Sequence, residues 1–132
     1  GNPRAVSPTG AKGLYQFTRN TWNETIKNHP ELGVSGDKRF DPDASTKVME
    51  AFTNDNRKIL KSRLGREPTE HELYMAHNLG AGGALRLLTA DPNQRISAGL
   101  IGSNPRHNPK FFYSGGRTLT AGEAIDKYAS EF

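Results

Sequence analysis

Apolar positions in this chain fall into short groups spaced three or four residues apart and separated by Pro, Gly and Asn. The longest group lies in "DPDASTKVMEAFTNDNRKILKSRLG", residues 41–65, where Val48, Phe52, Ile59 and Leu60 recur at roughly helical spacing. That spacing predicts a long helix with those four side chains facing a core. Asp41 is placed to N-cap it, Pro42 suits its first turn, and Gly65 ends it. Ahead of it, "TRNTWNETIKNH" predicts a helix stopped by Pro30, and residues 31–40 read as loop. Beyond it, Thr69 and Glu72 form a capping box that opens "EHELYMAHNLG". Gly80 ends that helix, and "GGALRLL" starts further helical turns. A second capping box, Thr120 with Glu123, opens a last helix that runs through Tyr128. Residues 89–117, rich in Pro, Asn, Gly and Ser, are expected to wrap the surface around an aromatic knot of Phe111, Phe112 and Tyr113. No alternating run is long enough to predict a useful strand, so the fold class is all-α. No repeat of 20–50 residues points to a solenoid.

Composition narrows this picture. A chain of 132 residues fits a single domain, 1–132, able to bury a core. With 33% hydrophobic and 24% charged residues and no long like-charge run, it is polar yet globular rather than disordered. No stretch approaches the run of about 20 apolar residues that a membrane span needs, and no basic-then-apolar leader opens the chain. The absence of cysteine excludes a disulfide framework, a Cys-zinc site and thiol catalysis, and leaves the redox compartment open. A net charge of +4 suits an anionic polymer as partner and equally suits ordinary solubility. No helix clusters Arg and Lys as a nucleic-acid recognition helix does.

Most chemistries fail on spacing. Of the histidines, His71 and His77 are the near pair, but six residues apart they do not stack as an i, i+4 metal pair would. "GAKG" lacks P-loop spacing, and "GAGG" follows a helix rather than a strand; both read more simply as turns and helix ends. No G-x-S-x-G elbow positions a nucleophile. The glutamates Glu24, Glu31, Glu50, Glu67, Glu70, Glu72, Glu123 and Glu131 mostly occupy solvent, dipole or capping positions. A proton donor needs an apolar setting that raises its pKa, and only Glu24, near Trp22, is even weakly framed by an aromatic ring.

The opening stretch, "GNPRAVSPTGAKGLYQFTRNTW", is more informative. Asn2, Pro3, Ala5, Ser7, Gly10, Ala11, Gly13, Leu14, Gln16 and Thr21 follow, in order and spacing, the signature Glu-Ser-x-x-Asn-Pro-x-Ala-x-Ser-x-x-Gly-Ala-x-Gly-Leu-x-Gln with a later Thr. By these residues the chain resembles the lysozyme-like soluble lytic transglycosylases. A second block, Ala76, His77, Asn78 and Gly80, stands where relatives carry Ala-Tyr-Asn-x-Gly, with His77 departing from the usual Tyr. "AHNLGAGGA" and "NPKFFYSGGRTLTAGEAIDKY" look closer to a branch of phage and some bacterial proteins. The likeness covers nearly the whole chain.

The resemblance implies a lysozyme-like helical fold, no cofactor or metal, and peptidoglycan glycan strands as the partner. It implies no nucleic acid and no membrane span, and it does not fix the oligomeric state. The implied setting is the cell envelope, with the chain either a phage virion or lysis protein or a bacterial periplasmic enzyme. In the family one glutamic acid protonates the oxygen between N-acetylmuramic acid and N-acetylglucosamine, then acts as base on the muramyl 6-hydroxyl. The product is a 1,6-anhydro end, and the substrate's own hydroxyl replaces the water that most glycosidases activate with a second carboxylate. That Glu falls three positions before the residue matching Gly1. The expectation is therefore a domain truncated at its N-terminus, inactive without an acid supplied from upstream.

By the same resemblance Ser7 orients the acid, while Gln16, His77 and Asn78 line the sugar cleft. Tyr113 is a candidate for the hydroxyl that His77 lacks. Read from the residues alone, each has a plainer use: a loop turn for Ser7, helix-end satisfaction for Gln16 and Asn78, packing for His77 and Tyr113. Trp22 and the Phe111–Tyr113 knot read as core. A hydrolytic muramidase and a non-catalytic peptidoglycan-binding module remain the alternatives to the transglycosylase.

Overall fold

A computed structural model of the chain describes Arg4 and residues 17–132. Among these, helices α1 (Arg19–Asn28), α2 (Pro42–Leu64), α3 (Glu70–Thr89), α4 (Ala98–Ile101), α5 (Pro109–Phe112) and α6 (Ala121–Ser130) follow in order, with strands β1 (Tyr113–Ser114) and β2 (Arg117–Thr118) before α6. The all-α class holds. No helix among the described residues is long and apolar enough to cross a membrane. The chain divides into two compact units, residues 1–55 and 56–132, and the division falls inside α2.

The helix ends obey the capping chemistry. Thr18 caps α1, its hydroxyl accepting from the Thr21 N–H. The Asp43 N–H donates to the Asp41 carboxylate at 3.1 Å at the start of α2, and Gly65 leaves that helix at φ 72°. Both capping boxes form as the spacing predicts, Thr69 with Glu72 on α3 and Thr120 with Glu123 on α6. Glu72 is buried and also takes a bidentate pair of 2.8 Å bonds from Arg66. Gly80 interrupts α3 at φ 74°, ψ 164°, where its N-terminal stretch stops and a second stretch continues to Thr89.

In the first unit, Phe17, Trp22, Ala44 and Val48 make the core. Phe17 meets Trp22 and Phe52 edge-on, at centroid distances of 5.4 and 6.0 Å. The Trp22 indole is fully buried and spends its N–H on the Gly36 carbonyl at 2.9 Å, so it is core, as its sequence context predicts. Arg39, only 2% exposed, forks onto both Asp37 oxygens at 2.8 Å and donates to the Phe17 carbonyl at 3.2 Å. Below it, the Ser45 hydroxyl donates to the Arg39 carbonyl at 2.9 Å. A buried charge requires such pairing, because an unpaired guanidinium would keep its full desolvation cost.

The second unit packs α3, α4, α5 and α6 around Leu60, Met75, Leu87, Ile101, Phe112 and Tyr128. Two expectations need correction here. Ile59 is 46% exposed: the inward stripe of α2 steps by four through Val48, the partly buried Phe52, Asn56 and Leu60, and Ile59 lies about 100° off it. Residues 89–117 do not simply wrap the surface, since Ile96, Ile101, Pro105, Phe111 and Phe112 are buried. Their polar punctuation serves as caps on very short helices, with Ser97 opening α4 and Asn104 opening the 3-10 turn Pro105–His107. A two-residue hairpin also appears, Tyr113 opposite Thr118, closed by Gly115 and Gly116 at φ 59° and 79°. Positive φ at both central residues is what a tight hairpin turn demands.

Close packing of α3 on α4 depends on Gly83. A Cβ there would stand 2.7 Å from the Ile101 carbonyl oxygen and 2.8 Å from the Leu79 Cβ. Gly83→Ala gains about 1 kcal/mol of helix propensity but must displace backbone. Overpacking of about 1–3 kcal/mol outweighs that gain, and the thermal midpoint is expected to fall by a few degrees in calorimetry.

His29 ties the turn after α1 to α2. Its Nε2 lies 2.6 Å from Asp55 and its Nδ1 2.8 Å from Glu31. Hydrogen bonding to Asp55 first, and to Glu31 next, raises the His29 pKa above 6.5. The imidazolium therefore stabilises the folded chain fully below that value, and the contribution fades as pH rises through the raised pKa. Followed by Trp22 fluorescence, the urea midpoint of the wild type should exceed that of His29→Gln at about pH 6, and the gap should shrink by about pH 9.

Candidate functional site

Helical spacing puts Tyr74, His77 and Asn78 on one face of α3, just before the break at Gly80. Asn78 donates from Nδ2 to the Tyr128 hydroxyl at 2.9 Å. Tyr128 comes from α6, is fully buried, and stacks on Phe111 of α5 with centroids 3.9 Å apart and planes 4° from parallel. Phe112 meets the same ring edge-on at 6.0 Å. Burial pushes the Tyr128 pKa up, so the phenol stays neutral, with a lone pair for Asn78 and a proton to donate.

His77 is half-buried, and its ring lies 5.8 Å from that of Tyr74. Burial lowers its pKa below 6.5, so at neutral pH the imidazole is uncharged, with one N–H and one lone pair. Such a ring hydrogen-bonds in both senses and carries no charge that would repel or trap a ligand.

Ser7 and Gln16 lie outside the described residues. Tyr113 sits on β1, half-buried, with the Arg106 guanidinium 5.3 Å from its ring centroid. The hydroxyl that reaches the Asn78 amide is that of Tyr128, which in the sequence marks only the extent of the last helix. A faint signal was present: a Tyr in the apolar register of α6, next to Ala124 and Ala121, must find a partner for its hydroxyl once buried.

Four glutamates among the described residues are held as carboxylates by their partners. Glu31, Glu67, Glu72 and Glu123 all shift towards the ionised form. Glu72, the buried one, is held down to about 2, chiefly by Arg66 and then by the Thr69 N–H. A general acid at neutral pH needs the opposite shift.

Tyr128→Phe keeps the stack on Phe111 and removes the acceptor of the Asn78 amide. Unfolding free energy is expected to drop by about 1 kcal/mol, and the Asn78 side-chain amide signals should move in the NMR spectrum while the Phe111 ring signals hold.

Compared with known families, the chain matches the transglycosylase SLT domain over residues 1–99. The match takes in the opening signature, α1, α2 and the whole of α3 with His77, Asn78 and Gly80.

Proposed function

The chain belongs to the transglycosylase SLT family, whose activity is cleavage of peptidoglycan, and from that premise we propose how its residues take part. The bond cut is the β-1,4 link from N-acetylmuramic acid to N-acetylglucosamine, and the product ends are 1,6-anhydromuramic. The general acid is a Glu three positions ahead of the residue that matches Gly1, supplied by the parent polypeptide. Ser7 orients that acid, and Gln16, His77, Asn78 and Tyr113 bind the glycan. The site of action is the cell envelope.

The match over residues 1–99, which contains both the signature and the Asn78 block, carries this reading. Two features support it. The Asn78 amide is anchored by a buried hydroxyl before any ligand arrives, which lowers the ordering cost of binding. The carboxylates that shift in the described residues shift towards ionisation, which fits an acid located elsewhere in the polypeptide. With one acid, the muramyl 6-hydroxyl serves as the internal nucleophile. Its attack on C1 breaks the bond to the glycosidic oxygen, which takes the acid's proton, and the hydroxyl proton passes to the same carboxylate. Atoms and charge balance without water.

The parent polypeptide, extended upstream through that Glu, is expected to release 1,6-anhydromuropeptides from purified cell wall, identified by mass spectrometry. Replacing the Glu by Gln should lower the rate by roughly a hundredfold or more, and Asn78→Ala should lower kcat/KM by about tenfold. Muropeptides with reducing ends would assign water as the acceptor and a muramidase reaction. Binding to cell wall with no cleavage would leave a glycan-binding module.

A further inference from the structure

Two large aromatic side chains lie exposed and touching beside His77 and Asn78. Tyr74 is 38% exposed and Phe132 56% exposed, with ring centroids 5.1 Å apart and planes inclined by 48°. Tyr74 stands one helical turn before His77 and Asn78 on the same face of α3, and Phe132 comes from the turn after α6. The Tyr74 ring is braced from behind by Phe111 at 5.9 Å and Tyr128 at 6.2 Å, the latter being the residue that holds the Asn78 amide. Scattered exposed rings are ordinary on a protein surface, but a contiguous pair backed by buried rings is a built feature.

We propose that Tyr74 and Phe132 form an aromatic subsite for one pyranose ring of a β-1,4-linked N-acetylhexosamine strand, continuous with His77 and Asn78. The inference rests on the family reading given above and adds two residues to it, of which Phe132 lies beyond the matched segment. The chemistry fits a sugar better than a protein surface. A pyranose has an apolar C–H face for an aromatic ring and a polar rim that needs donors and acceptors, the mixture typical of small-ligand sites. Tyr74 and Phe132 supply the apolar part. With Nδ2 engaged by Tyr128, Asn78 offers its Oδ1 to an acetamido N–H. His77 keeps its ring against that of Tyr74, at a centroid distance of 5.8 Å, and so borders the same surface.

The test is calorimetric titration of the full chain with chitotetraose, a four-residue β-1,4 N-acetylglucosamine strand. Phe132→Ala and Tyr74→Ala should each weaken binding roughly two- to tenfold, the range for loss of one aromatic contact. Phe132→Tyr should keep more affinity than Phe132→Ala. Ile59→Ala, which removes an equally exposed apolar side chain from α2, should leave affinity and thermal midpoint unchanged. Cellotetraose, which lacks the acetamido groups, should bind more weakly than chitotetraose. Equal affinity in the wild type and both alanine variants would overturn the subsite while leaving the family reading intact. No chitotetraose binding by the wild type would also overturn it, and if the parent polypeptide released no muropeptides either, the functional reading would fall with it. A concentration-dependent dimer in sedimentation, abolished by Phe132→Ala, would assign the two rings to a second copy of the chain and overturn the sugar subsite.

Discussion

The 2.9 Å bond from Asn78 to the Tyr128 hydroxyl is the constraint on which the second unit's candidate site depends. A phenol fully removed from water must make its hydrogen bond inside the protein or carry an unsatisfied polar group costing about 1–3 kcal/mol. Asn78 meets that need, and in doing so loses the freedom of its own amide. The stack of Tyr128 on Phe111 fixes where the hydroxyl can be, and the Thr120–Glu123 capping box fixes where α6 starts. Three helices, α3, α5 and α6, thus converge on one amide. The break at Gly80, two residues on, ends the regular helix just past that amide.

The first unit solves a comparable problem with charge. Phe17 follows Gln16 of the opening stretch, and its carbonyl is taken by the buried Arg39 guanidinium. An apolar side chain could fill that space at no electrostatic cost, so stability alone is a weak reason to bury an arginine. What the guanidinium adds is direction. Its fork is committed to Asp37 through two parallel bonds, which orients the guanidinium so that an Nη1 N–H meets the Phe17 carbonyl. The backbone at Phe17 is thereby held at a defined point just before α1.

How much of this the sequence disclosed follows from the range of the interactions. Caps, boxes and glycine stops are contacts within three or four residues, so Thr69, Glu72, Thr120, Glu123, Gly65 and Gly80 were legible by inspection. Ile59 departs from its helical spacing because α2 carries more apolar positions than a single stripe can bury, and only tertiary packing chooses between neighbours. The segment 89–117 departs from a plain surface loop because Ser, Asn and Pro mark loops and also cap one-turn helices. Composition alone does not separate those uses. In the site, resemblance indicated His77 and Asn78, but Tyr128 stands 50 residues away from Asn78, and no local rule links such a pair.

His77 sharpens the chemical question that the Tyr-to-His departure raises. A tyrosine hydroxyl is neutral at physiological pH and both gives and accepts a hydrogen bond. An exposed histidine would not be a faithful replacement, since near its ordinary pKa a large share would be imidazolium, with two donors and no acceptor. Half-buried on α3, His77 is moved away from that regime: desolvation disfavours the cation, and the neutral ring recovers one donor and one acceptor. The fold therefore converts a substitution that looks chemically drastic in the sequence into one that preserves hydrogen-bonding capacity. What changes is reach, because the imidazole ring is shorter than a phenol. A ligand group that a tyrosine could meet at full extension must come closer to α3, or be carried there by neighbouring surface. Tyr74, one turn away with its own ring in contact with that of His77, occupies the adjoining surface.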